Sequence, residues 1–133
     1  MQNLSFNHIA LAVKDVKASV MFYQAVFGLS EIENTASNSS TRWLSLGEGK
    51  ELHLIPRPEA EIKTHKAVHF AMAIDDIDGF IMHLKSLDIN FCDWPGTPNQ
   101  YNVRKDGIKQ VYFQDPNGYW IEVNNINLCE VLS

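Results

Sequence analysis

His8-Ile-Ala-Leu-Ala-Val-Lys-Asp-Val16 and His69-Phe-Ala-Met-Ala-Ile-Asp-Asp-Ile77 are two versions of one nine-residue pattern. Both contain a His, two Ala, an Asp and a β-branched residue at the same positions, 61 residues apart. An internal repeat of this kind predicts two structurally related halves. We expect modules at about residues 5–57 and 66–125, followed by a C-terminal tail, 126–133.

Each copy of the pattern alternates as a strand does, so that every second side chain lies on the same face. In the first copy this places His8, Ala10 and Ala12 on one face and bulky apolar residues on the other. The bulky face suits packing against a helix. The His and Ala face leaves room for a cavity beside the imidazole.

The segments after these strands repeat as well. Asp15 and Asp76 can each cap a helix, because apolar residues follow them at helical spacing. Short apolar runs separated by turn residues then predict three more strands in each half, at residues 29–33, 41–46 and 51–55 and at residues 89–92, 110–114 and 119–124. The predicted class is α+β, with two tandem βαβββ modules.

Composition limits the function classes. The chain has 133 residues, of which 45% are hydrophobic, and this predicts one domain, 1–133, with a sizeable core. The net charge of −5 is dispersed and includes no basic cluster, which argues against nucleic-acid binding. The short apolar runs and the start of the chain predict neither a membrane span nor a leader, so a cytoplasmic location is expected. The two cysteines, Cys92 and Cys129, are predicted to be free thiols.

Four side chains are candidate metal ligands. His8 and His69 are equivalent by the repeat, and Gly-containing turns precede both His53 and Glu122 by four residues, which makes those two equivalent as well. Three imidazoles and a carboxylate suit Zn, Ni, Co, Fe or Mn better than Ca or Mg. A single strand histidine is usually structural, but three related by the repeat favour a metal site. Two further histidines fall outside the pattern and are predicted to lie on the surface, His65 and His83.

Several motifs together resemble the vicinal oxygen chelate superfamily, which includes glyoxalases, bleomycin-resistance proteins and dioxygenases. They are Asn7-His-Ile-Ala-Leu-Ala-Val, Phe22-Tyr before Phe27-Gly-Leu, Val68-His-Phe-Ala and Phe113-Gln-Asp-Pro-Asn-Gly-Tyr-Trp-Ile-Glu122. The resemblance implies a cupped, incomplete mixed β-barrel with flanking helices, and usually a homodimer. It also implies one divalent metal ion that polarises a small substrate; Zn or Ni is favoured, and Fe, Mn and Co also fit.

Among these proteins the chain is similar to glyoxalase I, which uses four protein ligands. The resemblance implies a lyase or isomerase acting on a small α-oxo compound or its thiol adduct, through a metal-stabilised enediolate with Glu122 as base. Two positions depart from that pattern. His53 stands where a Glu is usual, and Ala12 stands where bacterial members present an Arg to glutathione.

Other members are alternatives. Fosfomycin thiol transferases match at His8, His69, Glu122 and Tyr112, but Ala10, Asp106 and Gln110 depart from their hydroxyl positions. Extradiol dioxygenases share the two-His, one-carboxylate set but are commonly about twice as long. Methylmalonyl-CoA epimerase is a minor alternative with a different final turn. Bleomycin-binding proteins need no metal, and the ligand set argues against that metal-independent binding function.

Strand parity suggests further candidates for the pocket. Glu51 shares the face of His53 and is a candidate second partner or alternative base, and Trp120 shares the face of Glu122, where packing is the expected role. About eight extra residues of the second half are expected in the loop 93–101. The remaining candidates to line or gate a pocket are Trp43, Trp94, Tyr101, Arg104 and Lys109, the last two supplying charge for an anionic substrate.

Overall fold

The computed structural model describes residues 2–128 and contains two compact units, which divide between Ile62 and Lys63. The single-domain assignment stays a prediction. Cys129 and the end of the predicted tail lie outside the described residues. No helix among the described residues has the length and apolar character needed to cross a membrane.

The first unit has the order β-α-β-β-β. Its elements are β1 (His8–Val13), α1 (Val16–Phe27), β2 (Glu31–Ile32), β3 (Arg42–Gly47) and β4 (Lys50–Pro56). The strands form one sheet in the order β1-β4-β3-β2, in which β1 is parallel to β4 and the other pairs are antiparallel.

Local signals set the ends of α1. The Asp15 carboxylate accepts a hydrogen bond from the backbone N–H of Ala18, and this satisfies one of the amides that a helix start leaves unpaired. Gly28 ends the helix in the left-handed region, with φ of 64°, which glycine adopts at low cost. Both the Asp cap and the helix are therefore confirmed.

The core of the first unit lies between the helix and the bulky faces of the strands. The fully buried apolar side chains of this core come from every long element of the unit: Val13, Tyr23, Leu44, Leu52 and Leu54. On β1 the burial alternates, with Leu11 and Val13 buried and His8 and Ala10 exposed. The predicted difference between the two faces of β1 is confirmed.

The second unit repeats this order with one addition. Its elements are β5 (His69–Ala73), α2 (Ile77–Ser86), β6 (Phe91–Cys92), β7 (Asn102–Val103), β8 (Lys109–Gln114) and β9 (Trp120–Asn124). The sheet has the order β5-β9-β8-β6, and β7 pairs with β8 outside that path. Asp76 caps α2 by accepting from the N–H of Gly79.

The repeat is confirmed in strand register as well as in element order. Ala10 pairs with His53 in the parallel β1–β4 ladder, and Ala71 pairs with Glu122 in the β5–β9 ladder. His53 and Glu122 therefore occupy equivalent positions. Neither sheet closes on itself within residues 2–128, and the α+β class with two βαβββ modules is confirmed.

The strand β7 was not predicted. It lies in the long connection between β6 and β8, the part of the second half that carries the extra residues. Two residues are too few to produce a periodic pattern in the sequence. Their strand conformation depends on pairing with Lys109 and Gln110 of β8.

Candidate active site and metal ligands

In the second unit, the parallel strands β5 and β9 bring together two of the predicted ligands. Nε2 of His69 lies 3.3 Å from Oε1 of Glu122. In the β5–β9 ladder, Glu122 pairs with Ala71, whose side chain is only a methyl group. The small side chain leaves room for the imidazole and the carboxylate to lie in contact.

Glu122 is 5% exposed and accepts three hydrogen bonds from neutral donors. The Tyr112 hydroxyl donates to Oε1 at 2.7 Å, while Asn124 at 2.7 Å and Gln110 at 3.1 Å donate to Oε2 through their side-chain amides. Burial alone raises the pKa of the Glu122 carboxyl, but the bonds from Asn124, Tyr112 and Gln110, with His69 nearby, bring that pKa below its usual value. The site therefore holds a buried, ionised carboxylate.

The orientation of His69 is fixed from its other side. Nδ1 lies 2.9 Å from the backbone carbonyl of Lys66. A carbonyl can only accept, so Nδ1 carries the proton and Nε2 faces Glu122. A neutral imidazole would then oppose a lone pair to a carboxylate oxygen, an arrangement that a second ring proton or a bound cation relieves. The donor pair fits a metal ion, since metal-binding histidines commonly donate their second N–H in this way.

Aromatic rings border this pair. The Trp94 and Tyr112 rings approach the His69 ring edge to face, with centroids at 6.0 and 5.7 Å. Burial raises the pKa of the Tyr112 hydroxyl well above its ordinary value, and its hydrogen bond to Glu122 raises it further. Tyr112 therefore remains a neutral hydrogen-bond donor to the carboxylate. Trp94 is 46% exposed, so a large part of its ring is open to solvent.

In the first unit, the other two predicted ligands form part of a stack of three rings. His53 lies between His8, at a centroid distance of 4.2 Å, and Trp43, at 4.1 Å. Trp43 is the cross-strand partner of His53 on β3, and the two rings are parallel within 5°. Trp43 therefore restrains the His53 ring rather than standing apart from it.

Both histidines of the stack have polar partners. Nε2 of His53 lies 3.0 Å from Oε1 of Glu51, which confirms the contact that strand parity suggested. Nδ1 of His8 makes a short hydrogen bond with the side-chain oxygen of Asn7. The Glu51–His53 pair is a second imidazole–carboxylate contact, and it leaves Nδ1 as the other nitrogen that His53 can offer.

The four predicted ligands are thus found as two pairs, His8 with His53 and His69 with Glu122. Among residues 2–128, no group of three or more His, Cys, Asp or Glu side chains is arranged to hold a metal ion. The four-ligand site stays a prediction.

The other predicted pocket residues occupy two surroundings. Trp94 and Tyr112 adjoin His69, whereas Lys109 has its Nζ 3.5 Å from the Asp78 carboxylate and 5.0 Å from the centre of the Tyr101 ring. Lys109 precedes Gln110 on β8, so its side chain leaves the face that carries Glu122's donors. Arg104 forms an ion pair with Asp106 at 2.7 Å.

Sequence reasoning missed four residues of the second unit. Gln110 and Asn124 donate to Glu122, Lys66 holds His69, and Asn102 binds Gln110. Parity could have found the first two, because Gln110 shares a face with Tyr112, and Asn124 shares one with Glu122. No sequence signal marks Lys66 or Asn102, since both act across a loop.

Comparison with known proteins agrees with this architecture. Residues 5–123 match the family model for the Glyoxalase/Bleomycin resistance protein/Dioxygenase superfamily. The chain is 28% identical to "Glyoxylase I 4" of Arabidopsis thaliana, covering 96% of this chain and 74% of that protein. It is 28% identical to "Metallothiol transferase FosB" of Staphylococcus epidermidis, covering 93% and 83%.

Among solved structures, "Oxidase ChaP-H2" superposes with a TM-score of 0.77 at 23% identity, covering 95% of this chain and 96% of that one. This likeness concerns the fold. Because the family model spans nearly the whole chain, the protein belongs to the Glyoxalase/Bleomycin resistance protein/Dioxygenase superfamily.

Proposed function

We propose that the protein is a metal-dependent isomerase or lyase of glyoxalase I type, acting on a small α-oxo compound or its thiol adduct. The observation that carries the proposal is the buried, ionised Glu122 in contact with His69. A proton shift next to a carbonyl needs a positioned base, and the burial of Glu122 and its three hydrogen bonds support that role. The likeness to a plant glyoxalase I supports the same activity.

For one divalent metal ion the proposed ligands are His8 and His53, the pair that the first unit offers, and His69 and Glu122, the pair that the second unit offers. Zn or Ni is favoured, with Fe, Mn or Co as further candidates. When bound, the ion supplies Lewis acidity toward a substrate carbonyl oxygen. The tautomer of His69 suits this role, because Nδ1–H donates to the Lys66 carbonyl and Nε2 faces Glu122 without a proton. Loss of such a supporting bond typically costs about 10- to 100-fold in metal affinity.

Glu122 would take a proton from the carbon beside the carbonyl and return it to the neighbouring carbon. Its hydrogen bonds hold its pKa below the usual carboxyl value, so Glu122 is ionised at neutral pH and can accept a proton. The same bonds make it a weaker base that returns the proton readily. Tyr112 keeps its own proton and stabilises the charged form of Glu122. Glu51, held against His53, is the alternative base in the first unit.

The substrate would be a small molecule bound beside Trp94, whose ring is half exposed and adjoins His69. Trp43 would restrain the His53 ring on which it stacks. Tyr101, Arg104 and Lys109 remain candidates to line or gate the pocket, and each of them already contacts another side chain. We further propose a homodimer in the cytoplasm, with sedimentation of the purified chain as the check on the dimer.

A thiol transferase is the second candidate function. The 28% identity to a metallothiol transferase favours it. So does the contact between Tyr112 and Glu122, because both residues match residues of that group. Ala10 and Gln110 argue against it, because neither supplies the hydroxyl group expected at its position. The Gln110 amide instead donates to Glu122.

One set of assays separates the two functions. Protein reconstituted with Zn or Ni is incubated with the hemithioacetal of methylglyoxal and several thiols, and separately with fosfomycin and the same thiols. We expect isomerisation of a hemithioacetal, lost in Glu122→Gln and kept in the control Glu59→Gln, which alters an exposed carboxylate. Fosfomycin consumption without isomerisation would favour the thiol transferase. Isomerisation that survives Glu122→Gln would overturn the role of Glu122.

A further inference from the structure

A chain of three hydrogen bonds joins the loop between β6 and β8 to the carboxylate of Glu122. The backbone N–H of Trp94 donates to Oδ1 of Asn102 at 2.9 Å. Nδ2 of Asn102 donates to Oε1 of Gln110 at 2.6 Å, and Nε2 of Gln110 donates to Oε2 of Glu122 at 3.1 Å. Two side-chain amides thus connect a loop backbone to the buried base.

The direction of this chain is fixed at its loop end. A backbone N–H can only donate, so Asn102 must present its oxygen to Trp94 and its NH₂ group to Gln110. Gln110 must then present its oxygen to Asn102 and its NH₂ group to Glu122. The amide that stabilises the ionised carboxylate therefore owes its orientation to Asn102, which does not touch Glu122.

A second connection joins the same loop to His69. Nζ of Lys66 donates to the backbone carbonyls of Asp93 at 2.6 Å and Trp94 at 2.8 Å, and its own backbone carbonyl accepts from His69. The ammonium also lies within 5.5 Å of the ring centres of Trp94, Tyr112 and Trp120, which favours a cation at that point. Trp94 is thus held by its N–H through Asn102 and by its carbonyl through Lys66.

We propose that Asn102 and Lys66 are positioning residues. Asn102 orients Gln110 toward Glu122, and the side chains of Asn102 and Lys66 together hold Trp94 beside His69 and Glu122. Their meaning for catalysis rests on the proposed function, but the connections themselves do not. A change at Asn102 therefore alters the hydrogen-bond donors of Glu122. In the parent chain, the same contacts fix the position of the Trp94 loop relative to the carboxylate.

The variant Asn102→Asp separates positioning from simple tethering. The new carboxylate still accepts the N–H of Trp94, so the loop stays attached. It has no N–H to offer Gln110, whose amide must rotate to donate to it and then presents an oxygen to Glu122. A residue that only tethers the loop would tolerate this change. A residue that orients Gln110 would not.

The experiment uses NMR of the metal-free full chain. In the parent, side-chain NH₂ groups of Gln110 and Asn124 bind the same oxygen of Glu122, so an NOE between them is expected. We expect Asn102→Asp to lose this NOE while the N–H of Trp94 keeps its protection from exchange. We expect Asn102→Ala to lose both, with exchange at Trp94 about tenfold faster. Asn99→Asp, the same charge change at an exposed position in the same loop, should match the parent.

Lys66→Met tests the second connection, because it keeps the aliphatic stem and removes the ammonium. Faster exchange at Trp94 is expected with the NOE between Gln110 and Asn124 retained. An NOE that persists in Asn102→Asp, or protection at Trp94 unchanged in both Asn102→Ala and Lys66→Met, would overturn the proposal.

Titration with Zn²⁺ then tests the consequence for the site. We expect Asn102→Asp to bind the ion about 10- to 100-fold more weakly than the parent and Asn99→Asp to bind it equally well. If the parent binds the ion, equal affinity of Asn102→Asp would overturn the role of Asn102, through Gln110, in setting the donors of Glu122. If the NMR results are as expected but the parent chain binds no divalent ion, the proposed function is overturned. The positioning of Gln110 and Trp94 is then still established.

Discussion

Nε2 of His69 and Oε1 of Glu122 are 3.3 Å apart, and the His69 proton that could have separated them is donated to the Lys66 carbonyl from Nδ1. A carboxylate oxygen and an imidazole lone pair repel each other at this distance, and a positive charge between them or on the ring relieves that repulsion. Both a metal ion and an imidazolium provide that charge. Their different dependence on chelators makes them separable by experiment.

The first prediction concerns metal binding. Purified chain reconstituted with Zn or Ni should hold about one divalent ion. Loss of an outer hydrogen-bond partner of a ligand typically weakens metal binding about 10- to 100-fold. His69→Ala and Glu122→Gln remove a ligand itself, so each should weaken binding by more than that. Elemental analysis after gel filtration measures it. His83→Ala serves as the control, since His83 is an exposed residue of α2. Equal metal content in all four proteins would contradict the assignment.

The second prediction concerns the ring stack of the first unit. Because Trp43 lies parallel to His53 at 4.1 Å, the two side chains should be energetically coupled. A double-mutant cycle of Trp43→Leu and His53→Leu, followed by urea unfolding, should give a coupling of about 0.5–1.5 kcal/mol, the range found for aromatic pairs. A coupling near zero would mean that the stack adds nothing beyond the burial of each ring.

Much of the fold could be predicted from the sequence because the repeat and strand alternation are local signals. The placing of Asp15 and Asp76 before helices, and the equivalence of His53 and Glu122, followed from spacing alone and agree with the structure. Each depends on neighbours within one strand or one helical turn. These features can therefore be predicted without knowledge of the tertiary contacts.

The surroundings of the candidate ligands could not be predicted in the same way. Lys66 reaches the carbonyls of Asp93 and Trp94 across more than twenty-five positions, and Asn102 meets Gln110 only because β7 pairs with β8. An isolated Lys or Asn in a loop has no periodicity to mark it. Polar contacts that depend on how a loop folds back leave no trace in the spacing of residues.

The third prediction concerns the helix caps. Asp76→Ala removes the acceptor for the N–H of Gly79, and Asp15→Ala removes the one for Ala18. Each change should lower the free energy of unfolding by about 0.5–2 kcal/mol, as measured by chemical denaturation. Asp75→Ala is the matched control, one position before the second cap. A loss for Asp75→Ala as large as for Asp76→Ala would show that charge, and not capping, is responsible.

The last prediction concerns the pH dependence of stability in the metal-free protein. The pKa of Glu122 is lowered in the folded state from its usual value of 4.5, since its hydrogen bonds outweigh burial. A lowered carboxyl pKa gives stability that is fully present above the unfolded-state pKa and is lost as pH falls through the folded-state pKa. The parent should therefore lose stability relative to Glu122→Gln below about pH 4.5, with a slope of at most about 1.4 kcal/mol per pH unit.

Urea unfolding at a series of pH values, with a chelator present, measures this difference. Glu59→Gln, at an exposed carboxylate, should follow the parent throughout. Tyr112→Phe keeps the ring and removes the 2.7 Å donor to Oε1, so the pKa of Glu122 should be lowered less and the stability lost on acidification should be smaller than in the parent. If the parent and Glu122→Gln instead fall together between pH 7 and 3, the three donors do not stabilise the charged form of Glu122. The hydrogen bonds from Tyr112, Asn124 and Gln110 would then orient the carboxylate without favouring its ionised form.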